Sequence, residues 1–422
     1  MKTYVVKFKQ AAAITGIALS GVASSGAMTP ASALTFTFRP VAGTSQAAID
    51  GFQAAGDRWS SLFTDNVNVI IDIDFTSLAP GVLAQAGSSR RMFNYSDIAN
   101  ALRADRTSAD DRLAVTNLPN QTVNSGVTSF NTLINRTTNN PNGVGSATPY
   151  LDTSGANTSM VNISSANAKA LGLSGGLPAA RTTNIATILG SVPAPEMNRD
   201  MTIRTSPTNA LTVGSDAEIT FSTGFAFDFN PDDGIDFNKF DFIGVATHEI
   251  GHALGFTSGV DVLDGNSPPI NGPFFDDQFT FVNSLDLFRY SADSVAAGAI
   301  DWTADTRAKY LSFDRGATSI GGLATGQEFG DGQQASHWKD STSSSIAELG
   351  IMNPTFSNGQ LGIVTENDLR AFDVIGWNRV NATATEVPEP SNVIGTLMFA
   401  GFGAKMVLKR RKKLAELNVK SV

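Results

Sequence analysis

The chain has 422 residues, of which 41% are hydrophobic, 16% are charged and none is cysteine, and its formal net charge is −9. This composition indicates a globular protein and excludes a coiled coil, a disulfide-stabilised scaffold, thiolate zinc sites and cysteine nucleophiles. Ten of the 30 basic residues but only two of the 39 acidic residues lie in residues 1–33 and 389–422. The body between them therefore has 20 basic and 37 acidic residues, a net charge of −17, which argues against nucleic acid and anionic membrane as partners.

The N-terminal 33 residues have the three parts of a secretory signal peptide. Three lysines within the first nine residues precede a short apolar run over residues 11–23, and Ala31-Ser32-Ala33 follows as a small-residue cleavage site. A run that is apolar on all sides and ends in small residues favours this interpretation over an amphipathic first helix. Cleavage after Ala27 is the alternative.

Hydrophobic periodicity predicts helices and strands over the next 200 residues. Apolar residues recur at helical spacing from Ser45 to Phe63, and they alternate with polar residues from Val67 to Phe75, as in a half-buried strand. The other predictions are a polar helix over 97–118 ending before Pro119, surface loops over 120–159, a strand over Met160–Ile163, a short helix over Ser165–Leu173, and a strand over Ala217–Phe229.

An acidic loop begins at the end of the last of these strands, just before the next helical segment, and contains Asp228, Asn230, Asp232, Asp233 and Asp236. A solvated turn that places negative charge near a helix N-terminus is the favoured interpretation. A Ca²⁺ site is the alternative, although the glycine of this loop lies one place late for an EF-hand.

The segment from Phe242 to Phe256 has helical periodicity and contains His248-Glu249-Ile250-Gly251-His252. Histidines four residues apart lie on one face of a helix, so both imidazoles can bind one Zn²⁺ ion. Glu249, beside the first histidine, is then placed to act as the general base toward activated water. Gly255 is a natural end for this helix.

A catalytic zinc usually has three protein ligands, and two histidines leave one position to fill. The chain contains three histidines in all, and the third is His337, 85 residues after His252. His337 and a carboxylate from a second helix, as in gluzincins, are the two candidates.

Gly255, three residues after His252, favours the metzincin pattern, although Ser258 stands where metzincins usually have the third histidine. The His337-Trp338 pair and the later Met352-Asn353-Pro354 resemble the leishmanolysin group, in which an insertion separates the helical glycine from the third histidine. The resemblance covers residues 240–260 and 330–356, with weaker support from Asp368–Trp377 as a closing helix. It implies His337 as the third ligand and Met352 as the methionine of a Met-turn under the metal.

The fold class that pattern and resemblance together predict is α+β. A twisted mixed sheet would carry Val67–Phe75 and Ala217–Phe229, with the active-site helix beneath it. A metallopeptidase domain over 34–386 would divide into residues 34–255 and a C-terminal subdomain over 256–386.

The C-terminal residues 387–422 contain Pro388-Glu389-Pro390, an apolar stretch from Val393 to Leu408 and a basic cluster over 409–413. This order resembles the PEP-CTERM sorting signals of Gram-negative bacteria. The resemblance implies export through the inner membrane, cleavage by an exosortase near Pro-Glu-Pro, and a final place at the cell surface or outside the cell. An ordinary tail anchor is the alternative.

Together these features predict an exported zinc endopeptidase that acts on protein or peptide substrates, with one catalytic Zn²⁺ bound by His248, His252 and His337. As a whole, the body resembles PEP-CTERM-bearing metallopeptidases related to metzincins. The rival hypothesis is a surface or matrix adhesin that keeps a metal-binding fold without turnover. Glu249 favours the enzyme, because a purely structural zinc site does not need a general base.

Overall fold

A four-stranded mixed sheet organises the N-terminal half of the protein in the computed structural model. Its strand order is β1-β2-β11-β3, where β1 is Thr35–Pro40, β2 is Asn68–Thr76, β11 is Ala217–Ser222 and β3 is Ala84–Ser88. β1, β2 and β11 run parallel to one another, and β3 pairs antiparallel with β11 at the edge. The fold is therefore α+β, with a mixed sheet that contains both strands predicted for it.

The structure describes residues 34–124, 126–135, 149–155, 157–174, 177–178, 214–265, 280–340 and 349–380. The predicted signal peptide and the predicted sorting tail lie outside these residues. The described residues belong to one compact unit, and the division predicted at Gly255 stays a prediction. Within the described ranges, no helix is long and apolar enough to cross a membrane.

The remaining strands and the helices are short, and they follow one another along the chain. The helices are α1 (Gln46–Ser60), α2 (Tyr95–Asp105), α3 (Ala109–Thr116), α4 (Ser165–Ala170), α5 (Phe242–Leu254), α6 (Val260–Gly265), α7 (Ala292–Ala297) and α8 (Glu366–Val374). The further strands are β4 (Arg90–Asn94), β5 (Gln121–Asn124), β6 (Val127–Phe130), β7 (Thr132–Ile134), β8 (Tyr150–Asp152), β9 (Met160–Ser164), β10 (Leu177–Pro178), β12 (Phe227–Asp228), β13 (Phe240–Asp241), β14 (Arg289–Tyr290), β15 (Ile300–Asp301), β16 (Lys309–Leu311) and β17 (Gly321–Leu323).

Helices α1 and α5 pack together against the sheet and form the main hydrophobic core. Phe52 of α1 lies edge-on to Phe221 of β11 and to Phe242 of α5, with ring centroids 5.3 and 5.4 Å apart. The indole of Trp59 donates a hydrogen bond to the carbonyl of Thr247 across 2.9 Å. Aromatic burial and this bond fix α5, the helix with two histidines, relative to the sheet.

Five predicted elements are confirmed with small changes at their ends. Ser45 caps α1 and accepts a hydrogen bond from the backbone of Ala48, and Val69, Ile71 and Ile73 of β2 are buried as the alternation predicted. The strand and the short helix predicted over 160–173 are β9 and α4. The helix predicted from Phe242 is α5, and it covers 13 residues.

The predicted helix over 97–118 is wrong as one element, because Ser108 starts a new helix there. Its side chain accepts from the backbone of Asp111 while the Asp111 carboxylate accepts from the Ser108 N–H. This reciprocal capping box ends the first helix at Asp105 and starts α3 at Ala109.

Two further predictions in the N-terminal half need correction. The surface loops predicted over 120–159 contain strands β5 to β8, and residues such as Phe130 and Ile134 are fully buried. β7 pairs with β8 on one side and with β15 on the other, and β15 lies almost 170 positions away, within residues 256–336 (called the inserted segment, after the resemblance). The strand predicted over Ala217–Phe229 ends at Ser222, because the chain turns at residues 223–226 before the separate strand β12.

Candidate metal centre

Helix α5 brings the first two histidines to one buried face and then ends abruptly. His248 and His252 are one turn apart, and both side chains are more than nine-tenths buried. Gly255 follows the helix with φ +120°, a conformation that L side chains rarely adopt. The chain can therefore turn away from the helix axis at Gly255, three residues after His252.

His337 returns to these two histidines from the far end of the inserted segment. Its carbonyl accepts from the N–H of Ala324 at 3.0 Å, and the N–H of the next residue, Trp338, donates to the Met352 carbonyl at 3.1 Å. The indole of Trp338 is fully buried and lies edge-on to Phe256, as expected of a packing residue. His337 therefore lies between two segments of chain that the core holds in place.

The three imidazoles converge on one point. The distances between Nε2 atoms are 3.1 Å for His248 and His252, 3.2 Å for His252 and His337, and 3.3 Å for His337 and His248. The rings of His248 and His337 are nearly parallel, and the ring of His252 is almost perpendicular to both. Within the described residues, this is the group of His, Cys, Asp or Glu side chains that could hold a metal ion.

The other ring nitrogens explain why these contacts are not hydrogen bonds. Nδ1 of His248 lies 2.7 Å from the Ile351 carbonyl, and Nδ1 of His252 lies 2.8 Å from the Phe256 carbonyl. Nδ1 of His337 lies 3.1 Å from the carbonyl of Gln334. A carbonyl can only accept, so each neutral ring carries its proton on Nδ1 and turns a lone pair on Nε2 toward the other two. Three facing lone pairs repel one another unless a cation lies between them.

Burial also keeps these rings neutral. It lowers the pKa of His248 to about 4 and the pKa of His337 to about 3. Burial, followed by the neighbouring rings of His248 and His337, lowers the pKa of His252 well below its ordinary value. At neutral pH all three are in the form that binds metal, because a protonated imidazole has no lone pair to offer.

The size of the triangle fits a first-row transition metal. Four ligands placed tetrahedrally at 2.0–2.1 Å from zinc are separated by roughly 3.3–3.4 Å, close to the observed 3.1–3.3 Å. Imidazole nitrogen suits zinc, copper, iron and nickel, whereas magnesium and calcium prefer oxygen. The buried His248–His252–His337 group can therefore hold a metal ion of the first kind, and its donor atoms do not select one among them.

Glu249 lies on the same helix, between the two histidines in sequence, and its side chain is 6% exposed. It precedes His252 by three residues, so the two side chains share one side of the helix. A carboxylate in this place has the chemistry of a general base for a reaction at the imidazole cluster.

Met352 packs against helix α5 at Gly251, which lies between His248 and His252 in the sequence. A Cβ atom added to Gly251 would lie 2.4 Å from its Sδ atom, so only glycine leaves room for the thioether. Met352 is fully buried. Met352 therefore lies against helix α5 at Gly251, and its assignment to a Met-turn stays a prediction.

One carboxylate that sequence reasoning missed connects residues 351–352 with Trp338, the residue after His337. Asp368 accepts from the indole of Trp338 and from the N–H of Ile351, both at 2.8 Å, and from the N–H of Met352 at 3.3 Å. It also accepts from the N–H of Thr365 at 2.7 Å within the capping box of α8. The Thr365-x-x-Asp368 spacing was the available signal, but it indicates only a helix start, not the distant partners.

The acidic loop before α5 is occupied with its own hydrogen bonds. The Asp228 carboxylate accepts from the backbone N–H groups of Asn230 and Asp236, and these bonds hold its pKa below the usual range. Lys239 pairs with Asp236 at 2.6 Å. Among the described residues, these carboxylates do not meet in a group that could share an ion.

Comparison with known proteins finds no matching family model, no matching curated protein and no matching solved structure. The chemistry of the centre therefore rests on its own residues.

Proposed function

We propose that the protein is a zinc-dependent endopeptidase in which His248, His252 and His337 bind the metal and Glu249 is the general base. The observation that carries the proposal is the convergence of three neutral Nε2 atoms within 3.1–3.3 Å. A carboxylate that follows the first of these histidines on the same helix supplies the second half of a hydrolytic site. Structural zinc sites in proteins are usually closed by four ligands, whereas catalytic sites have three and an open position.

The chemistry divides between the metal and the chain. When bound, a zinc ion supplies the Lewis-acid activation of water and of the scissile carbonyl. Glu249 accepts a proton from the attacking water, whose oxygen forms the new bond to the carbonyl carbon. The same carboxyl group then gives the proton to the amine nitrogen as the C–N bond breaks. The backbone carbonyls that bind each Nδ1 hold the three rings in the metal-binding tautomer throughout.

Several features support a relation to metzincins of the leishmanolysin arrangement. They are the turn at Gly255, the returning His337-Trp338 pair and the buried Met352 beneath Gly251. On the same proposal the chain is exported by its N-terminal segment and sorted through an exosortase at its Pro-Glu-Pro tail. Those two segments lie outside the described residues and are supported by the sequence alone.

The test is to compare metal content and proteolysis in the purified chain and in two variants. We expect one zinc per chain, casein cleavage, and loss of that cleavage in Glu249→Gln while the zinc content is retained. His337→Ala should lower zinc affinity, because it removes one of the three donors. Removal of metal with a chelator should abolish cleavage, and added zinc should restore it.

Two results would count against the proposal. Zinc bound equally well by His337→Ala would overturn the ligand assignment. Full zinc occupancy without cleavage of a broad panel of proteins and peptides would favour the non-catalytic adhesin instead.

A further inference from the structure

The two residues before the third histidine are held by a buried carboxylate on α6. Asp261 Oδ1 accepts from the backbone N–H of Ala335 at 2.6 Å, and its Oδ2 accepts the hydroxyl proton of Ser336. Asp261 is 8% exposed and Ser336 is 2% exposed. Backbone and side chain are therefore both fixed at the position directly before His337.

Ser336 also connects this segment by a hydrogen bond to the chain that follows helix α5. Its Oγ atom accepts from the N–H of Ser258 at 2.8 Å, and the Ser258 hydroxyl donates to Asp286 at 2.6 Å. Asp286 accepts in turn from the N–H of Gly259 at 2.8 Å. The start and the end of the inserted segment are thus joined through two buried carboxylates, within a few residues of His252 and His337.

A buried cation completes the cluster from the other side. The guanidinium of Arg289 donates to the carbonyls of Ala324, at 2.6 Å, and Ala335, at 3.5 Å. Arg289 is 1% exposed, and its positive charge acts on the Asp261 and Asp286 carboxylates. A buried carboxylate with these partners is held in place, because leaving it without them costs several kcal/mol.

His337 needs this support more than the other two histidines do. His248 and His252 are fixed by a regular helix and by Nδ1 contacts of 2.7 and 2.8 Å. His337 lies outside any regular helix or strand, and its Nδ1 contact of 3.1 Å goes to Gln334 of the same short segment. The direction of its ring therefore depends on what holds the backbone of residues 334–336.

We propose that Asp261 is a positioning residue for the third metal ligand, acting through Ala335 and Ser336. This inference rests on the metal-binding half of the proposed function and not on peptide hydrolysis. It explains how a histidine 85 residues beyond the helix returns to within 3.2–3.3 Å of its partners. The inserted segment carries its own anchor, Asp261, close to its beginning.

Asp264 offers a matched control on the same helix. It is also buried, and it accepts from the backbone N–H groups of Glu328 at 2.8 Å and Phe329 at 2.9 Å. These residues precede His337 by eight or nine positions. Asp264→Ala therefore removes the same kind of carboxylate–backbone contact without touching the residues next to the ligand.

The experiment is a titration of the metal-free full chain with cobalt(II), followed by its visible absorption, for Asp261→Ala, Asp264→Ala and His337→Ala. We expect Asp261→Ala to weaken cobalt binding by about 10–100-fold, as is usual for partners of metal ligands. Its absorption spectrum should move toward that of His337→Ala, a change that a merely destabilised protein with an intact site would not show. Asp264→Ala should keep the wild-type spectrum and affinity.

Equal losses of affinity in Asp261→Ala and Asp264→Ala, or a wild-type spectrum and affinity in Asp261→Ala, would overturn the inference. If circular dichroism shows that Asp261→Ala does not fold, Ser336→Ala is the second variant. It removes one of the two contacts of Asp261 and should still weaken cobalt binding severalfold. Unchanged cobalt binding by Ser336→Ala would equally overturn the inference. Failure of proteolysis with these cobalt differences intact would refute the peptidase and leave the role of Asp261 standing. Absence of cobalt binding in the wild-type chain would refute both.

Discussion

Replacing Asp368 with alanine is the most informative single perturbation of the fold around the centre. The carboxylate accepts four hydrogen bonds from nitrogen donors, three of them between 2.7 and 2.8 Å, and no part of the side chain is exposed. Burial raises its pKa above the usual range, and the four donors oppose that rise. The pKa is still raised overall, so the four donors offset only part of the cost of burying the charge.

The magnitude follows from the donors that Asp368→Ala would leave behind. A buried donor without a partner costs about 1–3 kcal/mol, and the three short bonds go to Trp338, Ile351 and Thr365. Water can enter the space of the lost carboxylate and satisfy part of them. We therefore expect the free energy of unfolding to fall by about 3–5 kcal/mol.

Urea unfolding in the presence of a chelator, followed by tryptophan fluorescence, measures this loss without a contribution from bound metal. The chain has four tryptophans and all four are fully buried, so the signal reports the core. Asp373→Asn, five residues further along the same helix, is the control and should not destabilise the protein. A loss below about 1 kcal/mol for Asp368→Ala would refute the reasoning.

Three further predictions concern packing and pH. Gly251→Ala should lower zinc affinity and stability, because the added methyl group would displace the Met352 thioether. Overpacking of this kind costs about 1–3 kcal/mol, more than the gain of about 1 kcal/mol in helix propensity. Metal titration measures the change in affinity, and urea unfolding measures the change in stability. Burial opposes ionisation of Asp305, but the adjacent Lys309 lowers the pKa of this carboxyl to about 2. The resulting stabilisation of about 2 kcal/mol is present above pH 4 and should be lost between about pH 4 and 2. In Asp305→Asn the free energy of unfolding should depend less on pH in this range, as urea unfolding at several pH values would measure. Burial, together with neighbouring aspartates, raises the pKa of Asp373 to about 8. The free energy of unfolding of the wild-type chain should therefore fall as the pH rises from about 4 to 8, and the stability of Asp373→Asn relative to the wild type should grow. A relative stability that did not grow between pH 5 and 9 would contradict this prediction.

The elements that the sequence predicted well are those with a local cause. Alternation along residues 67–75 reflects burial of one strand face, and the residues around His248 and His252 form a helix because their apolar spacing and the glycine at its end are both local signals. The shared face of these two histidines follows from 3.6 residues per turn alone. The sequence therefore predicted that two of the three clustered histidines lie on one helical face, without any knowledge of the sheet.

The elements that it predicted poorly depend on distant partners. The strand β7 was predicted as a surface loop because residues 120–159 are rich in polar residues and glycine, but β7 is buried between its pairing partners β8 and β15. The break at Ser108 follows from a capping box that was visible in the sequence but was outweighed by the longer helical pattern.

What the sequence by itself determined is a pair of histidines on one face of a helix, the adjacent Glu249, and a single remaining histidine. What only the tertiary structure decided is that Nε2 of His337 lies 3.2 Å from Nε2 of His252 and 3.3 Å from Nε2 of His248. In all three rings Nδ1 faces a backbone carbonyl and Nε2 faces the other two histidines. It also decided that Asp261 and Asp368 accept hydrogen bonds from the residues on either side of His337. The physical reason is that neighbouring residues set the spacing along a helix. The 85-residue connection from His252 to His337 is instead closed by buried hydrogen bonds between residues that no sequence pattern places side by side.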